Sequence, residues 1–420
     1  MSAHPHEPFG EAELEILRRH GIVLFARRVI FDARAPMPPA RIAAVEAACA
    51  GPLPQELLVL WRTTAGGRMD YDLHLPMNGN QESLDWTELF HDGSDGEQDL
   101  QAWIAHEVEG ARAAAAEPGA EPWDGRLTLL PIGGAESHDR VYVVVEPGAD
   151  EGHVLAWKQG LPPAFPHEMH EDGMSTLAPD LLAAFEALQL DEDPLAPAGD
   201  YFTGQSLLAW LDDRHQAHGL AIELVDRVVD FYRQAMVDWR TPLAEGTLAQ
   251  DAALARVALR HAIAADDAEL VGRLAAAGVP LDGPLHGSAI GTDLAMSQGA
   301  HAAAAALVRA GAAVEPDALE VIDTEISPEL VGLLLARGAE PSPLAIAECV
   351  ACGAPDAARL IAAAYARNHE DLPAAFEAAR RTMLAELEAS LEAVQSGERS
   401  HYLGLAGLTR RIDHLLGFRL

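Results

Sequence analysis

"LLPIGGAESHDRVYVVV", residues 129–145, sets a Gly-Gly pair ahead of an acidic cluster and a β-branched run. Two readings compete: a loop that cradles phosphate, or a hairpin corner in an antiparallel sheet. A phosphate loop needs G-x-x-x-x-G-K-[ST], in which backbone N–H groups wrap the phosphates and Lys supplies charge. Here Gly133 and Gly134 are followed by Ala135, Glu136, Ser137, His138 and Asp139, with no Lys. Two carboxylates beside the turn repel a phosphate, and the dinucleotide pattern G-x-G-x-x-G is missing too. The hairpin is therefore expected. Its glycines supply the permissive dihedrals of the corner, and Val141, Tyr142, Val143, Val144 and Val145 form a buried strand.

Outward from this stretch, strands are expected over 140–146 and 153–158, separated by the turn chemistry of "PGADEG". Upstream, 11–20, 38–50 and 53–61 read as helices, with Pro54 suited to a first turn. Met69, Tyr71, Leu73 and Leu75 alternate as a strand does, and 175–188 reads as an amphipathic helix capped by Ser175 or Thr176. The order predicts an α+β domain on an antiparallel sheet over 1–190. "LDEDPLAPAGDYFTG" (190–204) mixes charge, Pro and Gly, so 191–204 is expected to be a linker. A helical connector over 205–250, repeats over 251–368 and a helical cap over 369–420 are expected after it.

The repeats are "LVGRLAAAGVPLD" (270–282), "AAAALVRAGAAVE" (303–315) and "LVGLLLARGAEPS" (330–342), with "CGAPDAARLIAAA" as a degenerate fourth. Leu274, Leu307 and Leu334 each stand four residues before Gly278, Gly311 and Gly338. Such copies are helices ended by a left-handed glycine, and stacking supplies the core that no single copy can bury. Spacing and ending resemble ankyrin repeats, although "GTDLAMSQGA" stands where a T-P-L-H turn would be and one repeat is short. The resemblance implies an all-α ankyrin-like array.

The chain has 420 residues, 49% of them hydrophobic, enough for cores of ordinary size. It has no apolar run of membrane-spanning length, and residues 1–10 lack the basic flank and apolar stretch of a signal peptide. Cys49, Cys349 and Cys352 are too few for a disulfide scaffold, so the expected address is cytoplasmic. Lys158 is the only lysine, and heavy Ala use suggests a GC-rich bacterial coding background. The net charge of -36 is shared by both halves, which disfavours nucleic acid and anionic membrane and favours a basic partner.

Chemical motifs are weak. In "HEMHEDG" (167–173) the two His are three apart after Pro166, whereas H-E-x-x-H zinc sites need four. "CVAC" (349–352) lacks a second ligand pair and reads as small core residues. "DGSDGEQD" (92–99) has Gly at the wrong places for a calcium loop, and "GQS" (204–206) lacks the second glycine of a nucleophile elbow. No catalytic residue, metal or cofactor is assigned, and an enzyme is disfavoured.

Three ordered segments carry a further resemblance. These are "LPQELLVLWRTTAGG" (53–67), "LLPIGGAESHDRVYVVVEPGADEGHVLAWKQG" (129–160) and "MSTLAPDLLAAFEAL" (174–188). Together they resemble the SUKH superfamily, named partly for the Smi and Knr proteins, over roughly 40–190. Matching positions are Leu53, Pro54, Gly66, Gly67, Ile132, Gly133, Asp139, Tyr142, Val154, Trp157, Ser175, Leu181 and Phe185. Ala65 replaces the usual Asn. The family implies an immunity protein that binds and neutralises a polymorphic toxin, often a nuclease or deaminase acting on nucleic acid, and ankyrin-type immunity proteins form a second such group. Between Tyr71 and Ala111 no Lys or Arg occurs, while acids are frequent. Asp85, Glu88, Asp92, Asp95, Glu97 and Asp99, with Trp86 and Trp103 as aromatic anchors, and Asp139, Tyr142 and Trp157 on the strands, are the candidate partner-binding residues. Two readings of 77–125 stay open: an acidic imitation of nucleic acid, or a solvated insertion whose aromatics pack on the domain. The expected partner is a basic toxin whose active-site surface is occluded. The alternative is a non-catalytic regulatory scaffold that binds a host protein.

Overall fold

The computed structural model describes residues 8–77, 80–93, 99–116, 118–119, 123–135, 139–158, 173–195, 203–283, 285 and 289–420. The chain forms two compact units, Met1–Val237 and Asp238–Leu420.

The N-terminal unit is mixed α+β. It opens with α1 (Glu11–Arg19), a hairpin of β1 (Val23–Phe25) and β2 (Arg28–Ile30), then α2 (Pro39–Ala48) and α3 (Gln55–Thr63). Next come β3 (Gly67–Arg68), β4 (His74–Met77), β5 (Asn80–Ser83), β6 (Glu88–Leu89) and α4 (Leu100–Ala115). The strands β7 (Leu129–Ala135), β8 (Asp139–Val144), β9 (Val154–Lys158) and β10 (Met174–Ala178) precede α5 (Leu181–Ala187), α6 (Gln205–His218) and α7 (Ile222–Tyr232). Six strands make an antiparallel sheet in the order β10-β9-β8-β7-β6-β3, and β4 pairs with β5 separately.

The opening stretch is a hairpin, but its glycines do another job. Gly133 and Gly134 lie inside β7, and residues 136–138 between β7 and β8 lie outside the described residues. A Cβ on Gly133 would stand 2.4 Å from the indole nitrogen of Trp86 and 2.4 Å from the Glu88 carbonyl oxygen. One on Gly134 would stand 2.0 Å from the Asp139 carbonyl oxygen. Close approach, not turning, demands glycine here. The β-branched run is buried as expected: every residue of β8 is.

The segment 77–125 delivers β6 into the sheet between β7 and β3 and lays α4 against β7. Its aromatics pack inward. Three expectations need correction. The helix expected over 175–188 begins only after Pro179, with Asp180 as its cap accepting from the Ala183 N–H at 2.8 Å. Residues before Pro179 instead find the free edge of β9 and become β10. The alternation of Met69, Tyr71, Leu73 and Leu75 holds in burial, yet regular strand pairing covers only His74–Met77. Finally, the division between units falls at Val237, not in 191–204, because α7 buries Leu224, Val225, Val228, Phe231 and Tyr232 in the N-terminal core.

The regular elements of the C-terminal unit, among its described residues, are helices. They include α8 (Arg240–Glu245), α9 (Ala252–Ala264), α10 (Ala268–Ala276), α11 (Gly291–Ser297), α12 (His301–Ala310), α13 (Pro328–Ala336), α14 (Pro343–Ala351), α15 (Pro355–Tyr365), α16 (Leu372–Gln395) and α17 (Gly404–Gly417). The four sequence copies are α10, α12, α13 and α15, which pack on one another in that order. Each of the first three ends as its sequence requires: Gly278, Gly311 and Gly338 have φ of +79°, +104° and +115°. Behind them the carbonyls of Leu274, Leu307 and Leu334 accept the N–H five residues on, at 3.0–3.1 Å. Side-chain bonds tie the layers together: Asp266 accepts from the Ala303 N–H at 2.8 Å and Asp282 from that of Ala313 at 2.6 Å. The short repeat has a physical form: before α13 the chain makes turns at 316–320 where the other layers have α9, α11 and α14. At the end of the array α16 and α17 pack on each other and on α14.

Candidate functional site

Along β8 side chains alternate between the two sheet faces. Val141 and Val143 join the apolar core with Val154 and Ala156 of β9. Arg140 and Tyr142 face the other way, and register sets Trp157 directly opposite Arg140. Over this face runs α4, placing Trp103 and Glu107 one helical turn apart. The result is a cage around a guanidinium. Arg140 is 1% exposed and lies 4.0 Å from the Trp103 ring centre and 4.8 Å from that of Trp157. It donates to Glu107 Oε1 at 3.0 Å, and the Tyr142 hydroxyl donates to the same oxygen at 2.8 Å. Burial, and then the charge of Glu107, push the Tyr142 phenol well above its usual range, so it stays a neutral donor. This charge pair is largely shielded from solvent. It locks α4 to the sheet and offers no reacting group.

The predicted partner-binding residues therefore divide. Trp86, Tyr142, Trp157 and Asp139 are 0%, 1%, 1% and 2% exposed, so they are core and cannot anchor a partner on the folded surface. Trp86 packs edge-on to Phe185 at 5.2 Å, and Asp139 accepts from the Asp85 N–H at 2.7 Å. Trp103 is half-buried and stacks on Phe90 at 5.5 Å. Asp99 caps α4, accepting from the Ala102 N–H at 2.8 Å, and also accepts from Gly93. Exposed Asp92 is held by Arg41, and half-buried Glu88 lies 3.4 Å from Arg68. Asp85 is exposed; Asp95 and Glu97 lie outside the described residues.

Sequence reasoning missed a second cluster. Asp72, His74 and Asp191 bring one ligand-type atom each to within 4.8 Å of one another. Asp72 and His74 stand two apart in an extended segment and so share a side. Asp191 arrives because Asp72 and Gln189 exchange backbone hydrogen bonds at 2.8 and 2.9 Å. His74 Nε2 lies 2.8 Å from Asp191 Oδ2, while Ser83 Oγ stands 3.3 Å from its Nδ1. Asp72 accepts from the Thr203 hydroxyl at 2.8 Å and the Asp191 N–H at 2.9 Å, and Gln189 donates to Asp191 Oδ1 at 2.8 Å. Burial, then the charge of Asp191, push the Asp72 carboxyl up to about 6. The spacing D-x-H was visible in the sequence; its third member, more than a hundred residues away, was not.

Elsewhere the motifs settle as structure. Cys349 is buried in α14 and Cys352 half-buried at its end, with burial pushing the two thiols up to about 12 and about 11. Thiols raised in this way stay mostly protonated at neutral pH. His167 and His170 lie outside the described residues. Two shallow concavities of about 510 and 480 Å³ open on the C-terminal unit, one walled by Gly353, Arg359, His414 and Phe418, the other by Trp239, Arg240, Leu243 and Arg273. Neither wall includes a nucleophile paired with a base. Among the described residues no helix is long and apolar enough to cross a membrane. No family model, curated protein or solved structure matches this chain.

Proposed function

We propose that this protein is a non-catalytic binding protein of the cytoplasm, an immunity protein that neutralises a basic toxin by covering its active-site surface. On this reading the N-terminal unit is a SUKH-like domain and the C-terminal unit an ankyrin-like array, and the toxin is one that acts on nucleic acid. The observation that carries it is the fate of the charges. Acidic residues number 65 and basic ones 29, and many of the cations are spent inside the molecule. Arg41 holds Asp92, Arg68 Glu88, Arg140 Glu107, Lys158 Glu82, Arg233 Asp193 and Arg411 Asp323. Carboxylates such as Asp85, Glu109, Glu146 and Glu151 remain on the surface. A surface of one sign steers and orients a partner of the other, and it does so only while salt is moderate.

The test is affinity capture of the tagged full-length chain co-expressed with its neighbouring reading frames, with mass spectrometry of what is retained. A basic toxin domain should be recovered, its toxicity blocked, and its retention weakened by Asp85→Asn with Glu109→Gln and by raised salt. Capture of a toxin whose affinity ignores both would overturn acidic contact as the mode. Capture of host proteins alone would replace immunity with the regulatory scaffold.

A further inference from the structure

We propose that Asp72, His74 and Asp191 form a binding site for one divalent cation of the zinc class. The donor set is mixed, an imidazole nitrogen with two carboxylates, which suits zinc and neighbouring transition metals better than calcium or magnesium. It is also interior: the side chains of His74 and Asp191 are 15% and 8% exposed, unlike the acids scattered on the surface. Two carboxylates brought together there repel each other. A dication would neutralise both.

The surroundings are those of an oriented ligand shell. Thr203 holds Asp72, Gln189 holds Asp191, and Ser83 faces the far nitrogen of His74, so each ligand has a second residue fixing its direction. Each carboxylate oxygen has two lone pairs, so a hydrogen bond to an oxygen does not by itself exclude a metal. A bound cation takes the lone pair of His74 Nε2. The ring proton then sits on Nδ1 and is donated to Ser83 Oγ, and the 2.8 Å contact between Nε2 and Asp191 Oδ2 opens to ligand spacing as both turn to the ion. The site would clasp the segment before α6 to β4.

The experiment uses the full-length chain stripped with chelator and titrated with Zn²⁺ against a chromophoric competitor, and with Co²⁺ for its visible absorption. One equivalent should bind, with the His74 Nδ1 proton appearing in the ¹⁵N spectrum of the imidazole. Ser83→Ala, which removes no ligand, should weaken binding about tenfold, and His74→Gln more than about 100-fold. His167→Gln with His170→Gln should leave that equivalent intact. Absence of a stoichiometric site, or a site lost with His167 and His170 yet indifferent to Ser83→Ala, would overturn the assignment.

Discussion

Removing one member of the Arg140–Glu107 pair should be far more damaging than a typical charge deletion. The side chains are 1% and 10% exposed, and the guanidinium is clasped between two indoles. Arg140→Met leaves the largely buried Glu107 without its cation, with the Tyr142 hydroxyl still donating to it, and Glu107→Gln leaves the guanidinium without its counter-charge. Breaking one side of such a buried pair costs about 3–5 kcal/mol. In a unit of this length that lowers the melting temperature by roughly 6–20 °C. Replacing both, as Arg140→Met with Glu107→Leu, should recover at least about 2 kcal/mol of the summed single losses, since neither charge is then stranded. Urea unfolding followed by tryptophan fluorescence is the assay: Trp61, Trp86, Trp103, Trp123, Trp157 and Trp210 all belong to the N-terminal unit, and only Trp239 to the other. Single losses below about 1 kcal/mol that simply add would show the pair to behave like an exposed one and refute the reasoning.

Gly133→Ala should cost about 1–3 kcal/mol, because the new methyl meets the Trp86 indole and a backbone carbonyl at 2.4 Å; Gly148→Ala, with nothing within 4 Å, is the neutral control in the same urea series. Gly311→Ala should lose about 1–2 kcal/mol for conformational reasons alone, since φ is +104° in open space, while Gly272→Ala on the exposed side of α10 should gain up to about 1 kcal/mol. Both are read by the far-ultraviolet signal of unfolding, and equal effects would contradict the left-handed ending of α12. Burial pushes the Glu348 carboxyl up to about 7, against the opposing pull of Arg411. The folded state therefore favours the proton. The contribution is fully present below about 4.5, the unfolded value, and lost as pH rises through about 7. Glu348→Gln should match the parent at pH 4.5 and exceed it in urea midpoint at pH 8; parallel profiles would refute the burial of that charge.

Local pattern determined much of this protein. Period-two alternation marked Met69 to Leu75 as facing a core, the β-branched run announced β8, and Leu-x-x-x-Gly fixed where α10, α12 and α13 end. These features depend on dihedral preferences and side-chain period, which neighbouring residues set among themselves. Tertiary structure decided what local signals leave degenerate. The Gly-Gly pair was readable as glycine but not as the place where Trp86 meets β7, because that residue comes from the segment ahead of β6. Residues 174–178 became β10 since β9 had an edge to fill, and α7 joined the N-terminal unit since that core accepted its apolar face. Trp86, an anchor by type, was withdrawn from the surface by packing, as were the strand candidates Tyr142 and Trp157. The same packing brought Asp191 to His74 and set Glu107 on Arg140, because a site requires proximity in space, and the fold supplies it between residues that sequence separation keeps apart.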